Sequence, residues 1–90
     1  MIRVGDEVEL ALRETATTGY RWQPEFDGLL LEQLRDETIA TTEPRGAPGT
    51  RIFAFRALAP GETRLRLLKQ RPWESEAKDE LVYALEISAG

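Results

Sequence analysis

The sequence predicts an all-β fold, an antiparallel sandwich or barrel of seven or eight short strands, on three observations. Apolar residues recur with a period of two through most of the chain. Turn residues break that alternation at intervals of roughly ten residues, the spacing of strands in a sandwich. Each run keeps one polar face, as strands of an antiparallel sheet do when one side is wet.

The elements follow in order. Ile2–Val4 is a short first strand, ended by Gly5-Asp6. In 7–13, Val8, Leu10 and Leu12 alternate with Glu7, Glu9 and Arg13, with Ala11 on the polar side. Tyr20-Arg21-Trp22 opens another strand, and Trp22, two residues from Tyr20, is assigned to the core, as in the third strand of many immunoglobulin-like sandwiches. Asp27-Gly28 marks a turn. The stretch 28–37 is rich in helix formers, including Leu29, Leu30, Leu31, Glu32, Gln33 and Leu34. We assign it to a strand because an all-β context overrides a weak local preference. In 50–58, Phe53, Phe55 and Ala57 share one face, with Thr50 and Arg56 on the other. Ala59-Pro60-Gly61-Glu62 predicts a type II turn, with proline presetting φ and glycine accepting a positive one. Leu65 and Leu67 alternate with Arg64, Arg66 and Leu68 in 62–70, and Leu81, Tyr83, Leu85 and Ile87 form one face of 80–88.

Composition bounds the function. Ninety residues allow one domain, 1–90, and the 41% apolar and 31% charged content is that of a globular chain. No cysteine occurs, which excludes a disulfide, a thiolate metal site and a cysteine nucleophile. No histidine occurs, so Ser75 and Ser88 have no imidazole partner for a catalytic triad. The same absences remove the favoured zinc and copper ligands; neither a cofactor nor a metal is expected. Twelve Lys and Arg against sixteen Asp and Glu give a net charge of −4, with no basic stripe for a phosphate backbone, so no nucleic-acid partner is expected. No apolar run approaches the roughly 20 residues that span a bilayer, so no membrane partner is expected either. Arg3, Asp6 and Glu7 interrupt the start of the chain, which does not read as a signal peptide. The chain as it stands is expected in the cytoplasm, or outside if a leader has been removed. The acidic residues scatter over wet strand faces, against a carboxylate-pair glycosidase.

Three connections carry unusual chemistry. Thr15-Ala16-Thr17-Thr18-Gly19-Tyr20 has stiff β-branched residues at its tip and a glycine that permits close approach. Pro44-Arg45-Gly46-Ala47-Pro48-Gly49 is a tight glycine and proline corner. Arg71-Pro72-Trp73 places a tryptophan outside any alternating run, with Arg71 and Ser75 at the positions two residues away. Exposed Trp beside Arg is the composition of an interface hot spot, and proline narrows the directions of Trp73. Each connection alone also reads as an ordinary turn. Between Gly49 and Arg71 lies one strand, one turn and one strand back, so the second and third connections emerge at the same end. The first joins them if 29–43 is one long strand, bulged near Asp36-Glu37; two separate strands would send it to the other end.

Together, Thr17-Thr18-Gly19-Tyr20, Gly46-Ala47-Pro48-Gly49 and Arg71-Pro72-Trp73 resemble, in order and spacing, the three signature loops of the chagasin family of cysteine-peptidase inhibitors, and the resemblance spans nearly the whole chain. It implies an immunoglobulin-like antiparallel β-sandwich of seven to eight strands that blocks a papain-like cysteine peptidase reversibly and without covalent chemistry. Thr17, Thr18 and Gly19 would occlude the catalytic centre, with Tyr20 completing that loop. Gly46, Ala47, Pro48 and Gly49 would offer backbone to the cleft edge. Arg71, Pro72 and Trp73 would meet the opposite wall. The expected inhibitor is a monomer and not an enzyme. The family often has Asn-Pro where this chain has Thr15-Ala16, which predicts a looser first loop and weaker binding. Glu74, Glu76, Asp79 and Glu80 near Trp73 predict salt-dependent binding that disfavours acidic cleft rims. The alternative reading is a generic immunoglobulin-like interaction or adhesion module that uses the same tryptophan.

Overall fold

The alternating runs become two sheets that face each other across one apolar layer. The computed structural model describes residues 1–14, 19–39 and 49–90. Among them the strands are β1 (Ile2–Arg3), β2 (Glu7–Glu14), β3 (Arg21–Glu25), β4 (Leu31–Ile39), β5 (Gly49–Ala57), β6 (Gly61–Gln70) and β7 (Asp79–Ser88), and no helix occurs. One sheet runs β1-β7-β6-β3 and the other β2-β5-β4. All pairings are antiparallel except that of β1, which lies parallel to β7.

Both sheets feed the core. Trp22, Leu65, Leu67 and Ile87 come from the first, and Leu31, Phe53, Phe55 and Ala57 from the second. Phe53 and Phe55 sit on the central strand β5 and are fully buried. Phe26, partly buried, packs edge-on against Phe55 with ring centres 5.1 Å apart. Burying a phenylalanine or leucine side chain contributes roughly 1.5–3 kcal/mol, so this layer holds the sheets in face-to-face register.

The stretch rich in helix formers is a strand. Its helical tendency is confined to one turn, where Asp27 Oδ1 accepts from Leu29 N at 2.9 Å and Asp27 O accepts from Leu30 N and Leu31 N. From Leu31 onward the chain pairs with β5, whose ladder is open on that side. The expected bulge is present but earlier than Asp36-Glu37: the register shifts between Gln33 and Arg35. Leu34, the extra residue, is partly exposed. The shift changes which residues face inward, because the residues opposite Ala57, Phe55 and Phe53 become Leu31, Gln33 and Asp36. Gly61 takes a positive φ of +146°, wider than the roughly +80° of a type II turn.

The strand order sorts the connections by end. Gly5 N donates to Ala57 O and Leu58 N to Leu30 O, which gathers the β1–β2, β3–β4 and β5–β6 turns at one end. The β2–β3, β4–β5 and β6–β7 connections leave from the other.

Candidate functional site

Register brings the boundaries of the three unusual connections together. Glu14 pairs with Gly49, Ile39 with Thr50, Arg21 with Gln70 and Lys69 with Asp79. Segments 15–20, 40–48 and 71–78 therefore start and finish at one end of the sandwich. The continuity of β4 decides this, since a second strand between residues 31 and 39 would have reversed the first connection. Segment 40–48 joins two strands of one sheet, and segment 71–78 two strands of the other. Segment 15–20 crosses from sheet to sheet, so its ends lie between those of its neighbours.

Of the residues singled out in the sequence, Gly19, Tyr20, Gly49, Arg71, Pro72 and Trp73 are found at this end. Thr17, Thr18, Gly46, Ala47 and Pro48 lie outside the described residues. Gly19 has φ +77°, and a Cβ built there would come within 3.2 Å of Trp73 Cη2, so both the backbone conformation and the close approach call for glycine. The first and third connections thus meet at this point. Glu74 N donates to Arg71 O at 3.1 Å, closing a turn with Pro72 second and Trp73 third. Trp73 is 73% exposed. The Arg71 guanidinium lies 4.3 Å from the Tyr20 ring centre and 5.7 Å from that of Trp73, and Arg71 Nη1 also pairs with Glu74 at 3.3 Å. Arginine over an aromatic face is held by the ring quadrupole and by stacking, so Tyr20 and Arg71 brace the side of the protruding indole.

Four contributing residues were not singled out in the sequence. Lys78 places Nζ 4.6 Å from the centre of the Tyr20 ring. Its backbone N–H donates to Lys69 O at 2.7 Å, closing the base of segment 71–78. The others are Glu14 and Arg51, which are buried, and Asp36, which meets Arg51 from the exposed side of β4. Arg51 Nη1 donates to Glu14 Oε1 at 3.0 Å and Oε2 at 3.2 Å, and Nε and Nη2 engage the two oxygens of Asp36. That hydrogen bond from Arg51 holds the Asp36 carboxyl below its ordinary value, and Asp36 in turn raises Arg51. Period two carried the signal for two of them: Glu14 continues the face of Val8, Leu10 and Leu12, and Arg51 precedes Phe53 and Phe55. Asp36 depends on the bulge and was not legible. The acidic residues beside Trp73 are partly engaged, since Glu74 pairs with Arg71, and Glu80 with Arg66 at 3.0 Å.

Among the described residues no cluster of His, Cys, Asp and Glu could hold a metal ion, and no helix is long and apolar enough to cross a membrane.

Comparison with known proteins agrees with this geometry. The family described as Chagasin family peptidase inhibitor I42 matches residues 1–87. Amoebiasin-2 of Entamoeba histolytica is 30% identical over 76 residues, 81% of this chain and 62% of its own length; the chain thus spans under two thirds of that relative. The crystal structure of the cysteine protease inhibitor EhICP2 from Entamoeba histolytica superposes with a TM-score of 0.86 at 30% identity, covering 96% of this chain and 82% of that one. The solution structure of Amebosin, at 24% identity and a TM-score of 0.71 over 99% of this chain and 85% of that one, shares the fold. With a family match over nearly its whole length and an all-β sandwich of the same shape, the chain belongs to the chagasin family of peptidase inhibitors.

Proposed function

We propose that this chain is a reversible, non-covalent inhibitor of papain-like cysteine peptidases and acts through the end where segments 15–20, 40–48 and 71–78 converge. Thr17, Thr18 and Gly19, followed by Tyr20, enter the cleft over the catalytic cysteine and histidine of the enzyme. Gly46, Ala47, Pro48 and Gly49 meet one edge of the cleft. Arg71, Pro72 and Trp73 meet the other, with the indole stacking on the wall. The carrying observation is the exposed Trp73 packed on Gly19 with Arg71 over Tyr20, which joins two of the three connections into one surface. A large aromatic anchor beside an arginine is the composition from which interface energy is drawn.

The chemistry suits an inhibitor. The chain has no cysteine or histidine with which to attack a peptide bond. A segment whose two ends are fixed by strands resists the extended pose that a peptidase cleaves, so it occupies the cleft without turnover. With no histidine, the chain lacks the side chain whose ordinary pKa lies between about pH 5.5 and 8, so a pH dependence of inhibition in that window is expected to come from the enzyme. The test is a titration of active-site-titrated papain. The expected result is stoichiometric inhibition, reversed on dilution, with the inhibitor recovered intact. Absence of inhibition of papain and of cathepsin-like enzymes at micromolar concentration would contradict it.

A further inference from the structure

Beneath the inhibitory end lies a charged group that a small core does not need for packing. Glu14 is 5% exposed and Arg51 9% exposed, although both side chains are ionisable. Two buried ions of opposite sign are often no more stabilising than apolar residues of the same volume. Their position suggests another use. β2 and β3 belong to different sheets, so no ladder hydrogen bond ties the start of segment 15–20 to its finish. β3 is also an edge strand. The backbone N–H of Trp22 is satisfied by Glu14 Oε1 at 3.0 Å, and the Trp22 indole N–H donates to Arg13 O at 2.9 Å.

We propose that Glu14 and Arg51 are positioning residues, a buried pair that clamps the two ends of segment 15–20 together across the sheets and ties them to the strand leaving segment 40–48. Glu14 is the last residue of β2, and Arg51 stands two residues beyond Gly49 at the start of β5. Within the second sheet Arg51 faces Leu12 and Thr38, so Glu14 and Asp36 flank it on the two diagonals. Its planar fork spends Nη1 on Glu14 and the remaining nitrogens on Asp36, while its guanidinium carbon sits 4.8 Å from the Phe53 ring centre. Paired fork to fork with Asp36, the guanidinium is held in one plane, and its Nη1 meets both oxygens of Glu14, of which Oε1 also accepts from Trp22 N. Among the described residues no buried side-chain polar atom is left without a partner, so the group is complete as it stands. A connection whose ends are held in this way loses less entropy on entering a cleft. The clamp also offsets the missing proline at Ala16, because it fixes the segment from its base rather than within it.

This inference rests on the inhibitory reading, and its test separates the two. Papain dissociation constants and rates are measured for the wild type, Trp73→Ala and the double variant Glu14→Leu with Arg51→Met, alongside amide hydrogen exchange of Trp22 in the unbound chain. The apolar double variant should melt within a few degrees of the wild type or above it. It should nevertheless bind papain at least tenfold more weakly, through faster dissociation, with Trp22 exchange at least tenfold faster. A folded double variant that binds like the wild type would overturn the clamp while leaving inhibition intact. If the double variant does not fold, Glu14→Gln decides: weakened binding by several-fold supports the clamp, and unchanged binding overturns it. A wild type that leaves papain fully active would defeat the inhibitory reading, and the clamp's role with it.

Discussion

The two tryptophans lie at the same end of the molecule and have opposite fates. Trp22 is 5% exposed, sits on β3 and spends both of its N–H groups on β2. Trp73 is 73% exposed, sits at the third position of a turn and touches Gly19 through one edge of its ring. The difference lies in what flanks each residue. Trp22 stands in an alternating run, where the pleat turns every second side chain toward the core. Trp73 follows a proline in a hairpin connection, where no pleat directs it. The buried indole holds the base on which the exposed one is presented. A residue type with a large apolar area thus serves stability at one position and recognition a short distance away.

That contrast can be broken by substitution. Trp22→Ala should have the largest effect, a loss of about 3–5 kcal/mol of folding stability, read as a fall in the urea midpoint. A domain of this size holds about 5–13 kcal/mol in total, so the variant should lose a large share of its stability. Trp73→Ala should invert the pattern: binding to papain weakens by about 2 kcal/mol, whereas folding stability changes by less than about 1 kcal/mol. Equal effects of both substitutions on stability would remove the distinction. Gly19→Ala falls between them. Positive φ in a residue with a Cβ costs about 1–2 kcal/mol, and the added carbon must displace the Trp73 ring, so stability and affinity should both drop, by calorimetry and by inhibition respectively.

The smallest expected effect concerns acid. Arg51 holds the Asp36 carboxyl below its ordinary value of 3.8 by a hydrogen bond. A depressed folded value means that the stabilisation is complete above the unfolded value and is lost as pH falls through the folded one. Stability should therefore be insensitive to this group at neutral pH and decline below about pH 4. Asp36→Asn should flatten part of that decline when urea midpoints are compared between pH 5 and pH 2. An unchanged acid limb would show that the pair is weaker than its geometry indicates.

How much of this was legible in the sequence depends on the range of the interactions involved. The all-β class followed from local alternation, and the core assignments of Trp22, Phe53, Phe55 and Ala57 followed from the same period. The strand at Leu31–Ile39 competes with its own helix propensity and forms because pairing with β5 outweighs a preference of a few tenths of a kcal/mol per residue. The bulge position did not follow, because an extra residue in a ladder is set by how two distant strands meet. With it went Asp36, which reaches the face of Arg51 only once Leu34 has shifted the register. Gly19 and Trp73 could be picked out as unusual residues, but their contact joins segments more than fifty residues apart and needed coordinates. Glu14 and Arg51 lay on inward positions in plain view, yet a charged residue at the end of a strand ordinarily turns to water, so alternation alone did not distinguish a buried pair from two solvated ones.

The most direct test of the account is amide hydrogen exchange of the chain alone and saturated with papain. The account predicts new protection at the end carrying Gly19, Tyr20, Arg71 and Trp73, with exchange at the opposite turns around Gly5, Gly28 and Gly61 unchanged. Protection centred on those opposite turns, or on the outer sheet faces around Arg56 and Arg66, would contradict it.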